Sequence, residues 1–147
     1  MIKFGKFSQY AVACLTCLAE VYHQRNSKLS SSEISRRIQL PQPTVSKTMN
    51  ALVIAGFAQS AHGPHGGFSL ARHPSDICLI EIVRIFEKCD GLPCCYKSQK
   101  HSHTCLHPLH NSLSAISESL ESLFKEKTLE ALIESKTAAL KSERASL

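Results

Sequence analysis

Eight side chains that bind soft metals fall within 22 residues: Cys89, Cys94, Cys95, His101, His103, Cys105, His107 and His110. The same stretch carries Gly91, Pro93 and Pro108 and almost no apolar run, so core packing does not account for its composition. Thiolate and imidazole are the ligands of iron–sulfur clusters, zinc and copper, and a loop lets several of them converge on one centre. The plainer reading is a Cys/His-rich surface loop that holds nothing. Against it, structural cysteines belong on apolar helix faces. Cys14, Cys17 and Cys78 have that character, set among Ala, Leu, Val and Ile as small hydrophobes.

A second group of residues has the chemistry to read a nucleic acid. Gln42, Thr44, Ser46, Lys47 and Asn50 are hydrogen-bonding or cationic side chains on the polar side of a helix expected over 42–55, with Val45, Met49, Leu52 and Val53 inward. Such side chains reach base edges or phosphates in a major groove. Pro43 suits the first turn of this helix, where a missing N–H has no partner to lose, and Gly56 ends it. Ahead of it, Ser30-Ser31-Ser32-Glu33 predicts a capping box that opens a short helix over 31–37. Leu40-Pro41 supplies the turn, and the whole is a helix-turn-helix pattern. An ordinary amphipathic helix with a wet polar face is the alternative. The next fifteen residues favour the first reading. Here 57–60 and 67–71 are strand-like runs around His62-Gly63-Pro64-His65-Gly66-Gly67, a β-hairpin with a glycine-rich tip. After a recognition-type helix such a hairpin is a wing. Its glycines, Gly66 among them, permit close approach to phosphates, and His62 or His65 can enter a minor groove.

These two groups need elements to hold them. Ser8 predicts the cap of a helix over 9–24, and Ser75-Asp76 the cap of one over 76–89 with Ile77, Ile80, Ile82, Val83 and Phe86 buried. A long amphipathic helix is expected over 108–126, where Leu113, Ile116, Leu120, Leu123 and Phe124 form a stripe suited to a second copy of the chain. Thr128 to Leu132 predicts a short final helix, and 136–147 a polar, frayed tail. The expected organisation is 1–88 as a winged helix-turn-helix domain, 89–107 as the metal-binding loop, 108–135 as dimerisation helix and short final helix, and 136–147 as tail. The fold class is mainly α with a small β wing.

Composition narrows the function. At 147 residues the chain has enough material for one core without staples. No apolar stretch of about 18 residues exists to span a membrane. Net charge is +5, and residues 1–73 carry all of the excess, with eight Lys/Arg against two Asp/Glu, while 74–147 carry nine against ten. This points to a polyanion partner for the N-terminal half, although an excess this modest does not by itself separate nucleic acid from a generic basic surface. Seven cysteines is an odd number, unevenly spread, which fits a reducing cytoplasm better than a secreted disulfide scaffold. There is no HExxH, no nucleophile elbow, no phosphate loop and no carboxylate pair within the Cys/His cluster, so an enzyme is not expected.

Taken together these residues resemble a known family. Tyr10-Ala11-Val12, Glu33-Ile34-Ser35, Leu40-Pro41-Gln42-Pro43-Thr44-Val45-Ser46-Lys47, the wing at 62–68, the loop ending in Cys105 and the closing Thr128-Leu129-Glu130-Ala131-Leu132 are similar to the bacterial winged-helix iron–sulfur transcription regulators of the IscR, NsrR and Suf-regulator type, the Rrf family. The resemblance runs from Phe7 to Leu132. It implies a homodimeric transcription regulator of double-stranded promoter DNA, repressor or activator, and no membrane association is expected of a chain without an apolar span. It further implies an iron–sulfur cluster, [2Fe–2S] ahead of [4Fe–4S], held by three cysteines and a variable fourth ligand. Cys94 stands at the first cysteine and Cys105 near the third. The middle cysteine is absent, so Cys95, Cys89 or one of the histidines substitutes, and counting back from the final helix places His107 and His110 at ligand positions. Zinc, or a thiol switch between Cys89, Cys94 or Cys95 and Cys105, is the alternative. His62 replaces the arginine of the family's wing, which removes a permanent charge from the minor-groove contact.

Overall fold

The computed structural model describes residues 4–24, 28–64, 66–87 and 107–145. Cys94, Cys95, Cys105 and His65 lie outside the described residues. In order the elements are α1 (Lys6–Glu20), α2 (Ser31–Ile38), α3 (Gln42–Ile54), β1 (Ala58–Ala61), β2 (Gly67–Leu70), a 3-10 turn (Pro74–Asp76), α4 (Leu79–Phe86), α5 (His107–Glu126) and α6 (Leu129–Ala145). This is the expected class, helices with one two-stranded antiparallel ribbon.

The local signals in the middle of the chain act as read. Ser30 Oγ accepts the Glu33 N–H at 3.2 Å while the Glu33 carboxylate accepts the Ser30 N–H at 2.7 Å, which closes the capping box of α2. Gln39 ends that helix in a left-handed conformation with φ 55°, and the Leu40 N–H returns to the Ser35 carbonyl. Pro43 occupies the first turn of α3, and Gly56 follows its end with φ 80°. The ribbon pairs Ala58 with Leu70 and Ala61 with Gly67. Leu29 joins it as an isolated bridge, exchanging both backbone hydrogen bonds with Phe68 at 2.8 and 2.9 Å.

Three expectations need correction. Ser8 does not cap α1, which starts at Lys6 with Gly5 as N-cap; Ser8 lies inside the first turn, fully buried. Its hydroxyl and the Gly5 N–H both donate to Glu87 Oε1, at 2.7 and 2.8 Å. A carboxylate from the far end of α4 thus holds the N-cap residue and a buried hydroxyl of the first turn, close to the positive end of the helix dipole. Nor do Ser75 and Asp76 cap α4. They belong to the 3-10 turn, and α4 begins after Cys78, whose N–H donates to the Glu81 carboxylate. Ile77 is buried but stands outside the helix. Finally, the last helix is not short: it continues through the expected tail to Ala145. Residues 136–145 are mostly Ala, Leu, Lys, Glu and Arg, strong helix formers whose polarity alone suggests fraying. Lys136 also pairs with Glu20 of α1 at 2.5 Å.

One core unites these elements. Leu15, Leu18, Ile34, Met49, Leu52, Ile77, Ile82 and Leu129 are fully buried, each contributing roughly 1.5–3 kcal/mol of transfer free energy. Leu129 comes from α6, so the C-terminal helices share the core of the winged domain rather than forming a separate unit. The elbow between α5 and α6 is fastened to the head of α4: the Leu129 N–H donates to the Ile77 carbonyl at 2.9 Å and the Leu79 N–H to the Lys127 carbonyl at 3.0 Å. Among the described residues no helix is long and apolar enough to cross a membrane.

Candidate nucleic-acid interface

The candidate reading surface is built from α2, α3 and the wing. Val45, Met49 and Leu52 are buried and Val53 is packed against the core, which turns the other side of α3 outward. Gln42, Pro43, Lys47 and Asn50 are exposed, and Thr44 and Ser46 partly so. All six expected residues therefore share the solvent side of α3. Thr48 does not belong with them; it is buried, and its hydroxyl donates to the Thr44 carbonyl at 2.9 Å. Gln42 Nε2 donates to Ser31 Oγ at 3.2 Å, joining the first turns of the two helices. That bond orients the Gln42 amide before any ligand arrives.

Lys47 has a partner that the spacing of residues does not announce. Its Nζ stands 5.9 Å from the centroid of the Phe7 ring, itself about half exposed on α1. The ring's negative face attracts the ammonium group and narrows the space it samples. Phe7 in turn meets Tyr10 edge to face at 6.4 Å.

The wing is held from below. Arg72 lies over the Phe57 ring at 4.8 Å and pairs with Glu81 of α4 at 2.8 Å, so the base of the ribbon cannot swing freely. Sequence reasoning missed Arg72, because its partners come from different elements. At the tip, His62 is exposed. A Cβ at Gly66 would meet the Ala61 carbonyl oxygen at 2.3 Å, and one at Gly67, with φ 150°, would meet the Leu29 carbonyl at 2.9 Å. Glycine is demanded by this crowding.

For metal binding, the chemistry of the donors separates two groups of cysteines. Cys14 and Cys17 are buried in α1, and burial pushes the Cys14 thiol up to about 12, with the neighbouring Cys17 adding to the shift. Cys17 is raised as well, by burial first and then by Glu20. Such thiols resist the deprotonation that ligation requires. Among the described residues no group of three or more His, Cys, Asp or Glu could hold a metal ion. His107 and His110 stand three residues apart on the first turn of α5, directly after the Cys94, Cys95 and Cys105 segment.

On the expected stripe of α5, Ile116 is 65% and Leu123 50% exposed, while Leu120 is partly buried. The side chain of Leu113 lies outside the described part of the chain. Phe124 departs from the expectation. It is only 7% exposed and meets Phe4 of the same chain at 5.4 Å between ring centroids, so its surface is used inside the protomer. The four-residue step from Leu120 to Phe124 follows the inward side of the helix, whereas Ile116 and Leu123 keep the outward one.

The family model described as "Iron-dependent Transcriptional regulator" (Rrf2) matches residues 4–135. A protein of Aquifex aeolicus described as an HTH-type transcriptional regulator is 29% identical over 134 residues, 86% of this chain and 90% of that protein. The HTH-type transcriptional regulator IscR of Cereibacter sphaeroides is 30% identical over 87 residues, 59% of this chain and 56% of the relative. Among solved structures, T. potens IscR superimposes with a TM-score of 0.75 at 24% identity, covering 93% of this chain and 90% of the other. CymR, the global cysteine regulator of B. subtilis, does so with a TM-score of 0.73 at 19% identity, covering 91% and 98%. The relatives are transcription regulators and not enzymes, and with nine-tenths of its length matched this chain belongs to the Rrf2 family of winged-helix transcriptional regulators.

Proposed function

We propose that the protein is a homodimeric regulator that places α3 in the major groove and the wing against the adjacent minor groove of promoter DNA, with affinity set by a cofactor held in the 89–110 segment. The observation that carries this reading is the order of parts along the chain. Eight soft ligands stand between an exposed polar reading helix and a long helix with exposed Ile116 and Leu123. Gln42, Thr44, Ser46 and Asn50 are the base-reading candidates, with Pro43 shaping the entry turn. Lys47 serves as the phosphate anchor. His62, His65 and Gly66 complete the contact at the wing.

Two half-sites on one face of a duplex must be separated by about 34 Å or a multiple. Because α5 and the wing share one core, a change in how α5 meets its counterpart re-spaces the two reading heads. For the cofactor, Cys94, Cys95 and Cys105 with His107 or His110 supply a donor set suited to an iron–sulfur cluster, and IscR among the relatives favours that choice. When bound, such a group supplies sensitivity to iron supply, oxidants or nitric oxide. The residues' own part is to bind it as thiolates and neutral imidazoles, which makes occupancy depend on protons near neutral pH. Imidazole in place of thiolate also removes negative charge from the centre.

A second reading keeps the DNA binding and replaces the cluster with zinc or a thiol pair. The missing middle cysteine favours it, as does the likeness to CymR, since the CymR of Staphylococcus aureus, also similar in fold, has a structure of an oxidised form. Anaerobic purification followed by iron, sulfide and zinc analysis separates the two. Iron with sulfide in equal amounts supports the cluster; about one zinc per chain supports the alternative. A protein with none of these after reconstitution, whose DNA affinity ignores thiol oxidation, overturns both.

A further inference from the structure

We infer that Glu87 is a positioning residue for DNA binding: by bonding the start of α1 it sets where Phe7 stands, and Phe7 sets where the recognition-helix cation Lys47 stands. The inference rests on the reading of α3 as the groove helix and adds to it how that helix's phosphate anchor is held. The observations form a chain. Glu87 Oε1 accepts the Gly5 N–H at 2.8 Å and the Ser8 hydroxyl at 2.7 Å. Ser8 is fully buried, so the carboxylate is the partner that keeps a buried hydroxyl satisfied. The fit is close: a Cβ on Gly5 would lie 2.6 Å from that same carboxylate oxygen.

Between these two anchor points on α1 stands Phe7, 54% exposed, with the Lys47 ammonium 5.9 Å from its ring centre. Phe4, one residue before Gly5, packs on Phe124 of α5 at 5.4 Å. The first turn of α1 is thereby fixed by α4 and α5, and it presents an aromatic face to α3. Glu87 also stands directly before the stretch that begins with Lys88 and Cys89. The carboxylate that orders the reading head is therefore attached to the residues proposed to hold the cofactor. Nothing about Glu87 in the sequence suggests this, since its partners are 79 and 82 residues away.

Two variants approach the contact from opposite sides. Glu87→Ala removes the acceptor. Gly5→Ala leaves Glu87 in place but pushes its carboxylate away, and the N-cap backbone at φ −74° and ψ 174° admits alanine without strain. Operator binding of the full chain is measured by fluorescence anisotropy across a salt series, with thermal melts run alongside. Each variant is expected to weaken binding about fivefold, the size of two displaced cation–aromatic contacts, one in each protomer of the proposed dimer, and to flatten the salt dependence towards that of Lys47→Ala. Lys47→Ala should cost less in the Glu87→Ala background than in the parent protein, a coupling that general destabilisation does not produce. Phe7→Trp should preserve affinity, whereas Phe7→Leu should lower it.

If Lys47→Ala weakens binding but Glu87→Ala and Gly5→Ala keep the parent affinity and slope, the positioning role is wrong while the groove reading stands. If Lys47→Ala itself changes nothing, both are wrong. Should Glu87→Ala fail to fold, Gly5→Ala with the Phe7 pair decides the matter alone.

Discussion

Replacing Lys47 with alanine tests the placement of α3 most directly, because the expected effect has a size and a dependence on salt. Lys47 is exposed on the outward side of α3 and forms no ion pair among the described residues, while its ammonium lies within reach of the Phe7 ring. Losing that contact removes about 0.5 kcal/mol of stability, which lowers Tm by no more than about 2 °C. On DNA the cost is different in kind. Each phosphate contact contributes a slope of about −0.9 to log K against log salt, so a fourfold rise in salt, from about 50 to about 200 mM, weakens that contact about 3.5-fold. The proposed dimer carries two such lysines. The slope of the variant is therefore expected to be shallower by about 1.8, and its deficit relative to the parent about 12-fold larger at the lower salt than at the higher. Anisotropy titrations at four salt concentrations, on operator and on random duplex, measure both quantities. A phosphate contact carries no sequence information, so the two duplexes should lose affinity equally. Gln42→Ala or Ser46→Ala should instead narrow the gap between operator and random DNA. A Lys47→Ala protein with the parent slope refutes the docking of α3.

Other parts of the molecule carry further expectations. Ile116→Asp combined with Leu123→Asp should leave the protomer folded by circular dichroism, since both side chains are at least half exposed in it, yet convert the proposed dimer to a monomer in sedimentation and remove the dependence of Tm on protein concentration. Phe124→Ala should destabilise the protomer by about 3–5 kcal/mol, because its ring is buried against Phe4. The Glu33 carboxyl is held below the usual carboxylate range by the Ser30 N–H and hydroxyl. Its contribution to stability is thus present above the ordinary carboxylate pKa and is lost as pH falls through the lowered one, and Glu33→Gln should flatten that acid-side loss in chemical denaturation curves. Cys14 and Cys17, buried and with raised pKa values, should escape alkylation at neutral pH until the chain is unfolded, which mass spectrometry of the labelled protein reads out.

How much of this is legible in the sequence depends on the range of the interaction. The capping box at Ser30 and Glu33, the proline that opens α3, the glycine after it and the hairpin are all written within a few neighbouring residues, and each stands where local patterns put it. The start of α1 is not legible in that way, because Gly5 and Ser8 are tied to Glu87 and no local pattern records a partner 79 residues away. The start of α4 escapes for a similar reason. Ile77 and Leu79 bond to Leu129 and Lys127, so the backbone there is pinned by the elbow between α5 and α6 and the helix begins only after it. Periodicity groups Phe124 with Ile116 and Leu123, since a stripe shows which residues are apolar but not which neighbour covers each. The six residues on the outer side of α3 are legible because an amphipathic helix leaves little choice once Val45, Met49 and Leu52 are inside.

The stitching of Ile77 and Leu79 to residues 127–129 bears on how such regulators can be recombined. A chimera joined within the linker that carries the cysteines would pair one protein's α4 with another's elbow, leaving Leu129 to fill a cavity shaped for a different side chain. A workable graft would carry the elbow, Glu87 and Phe124 along with the amino-terminal half, and the exchangeable piece would lie between Glu87 and Leu120.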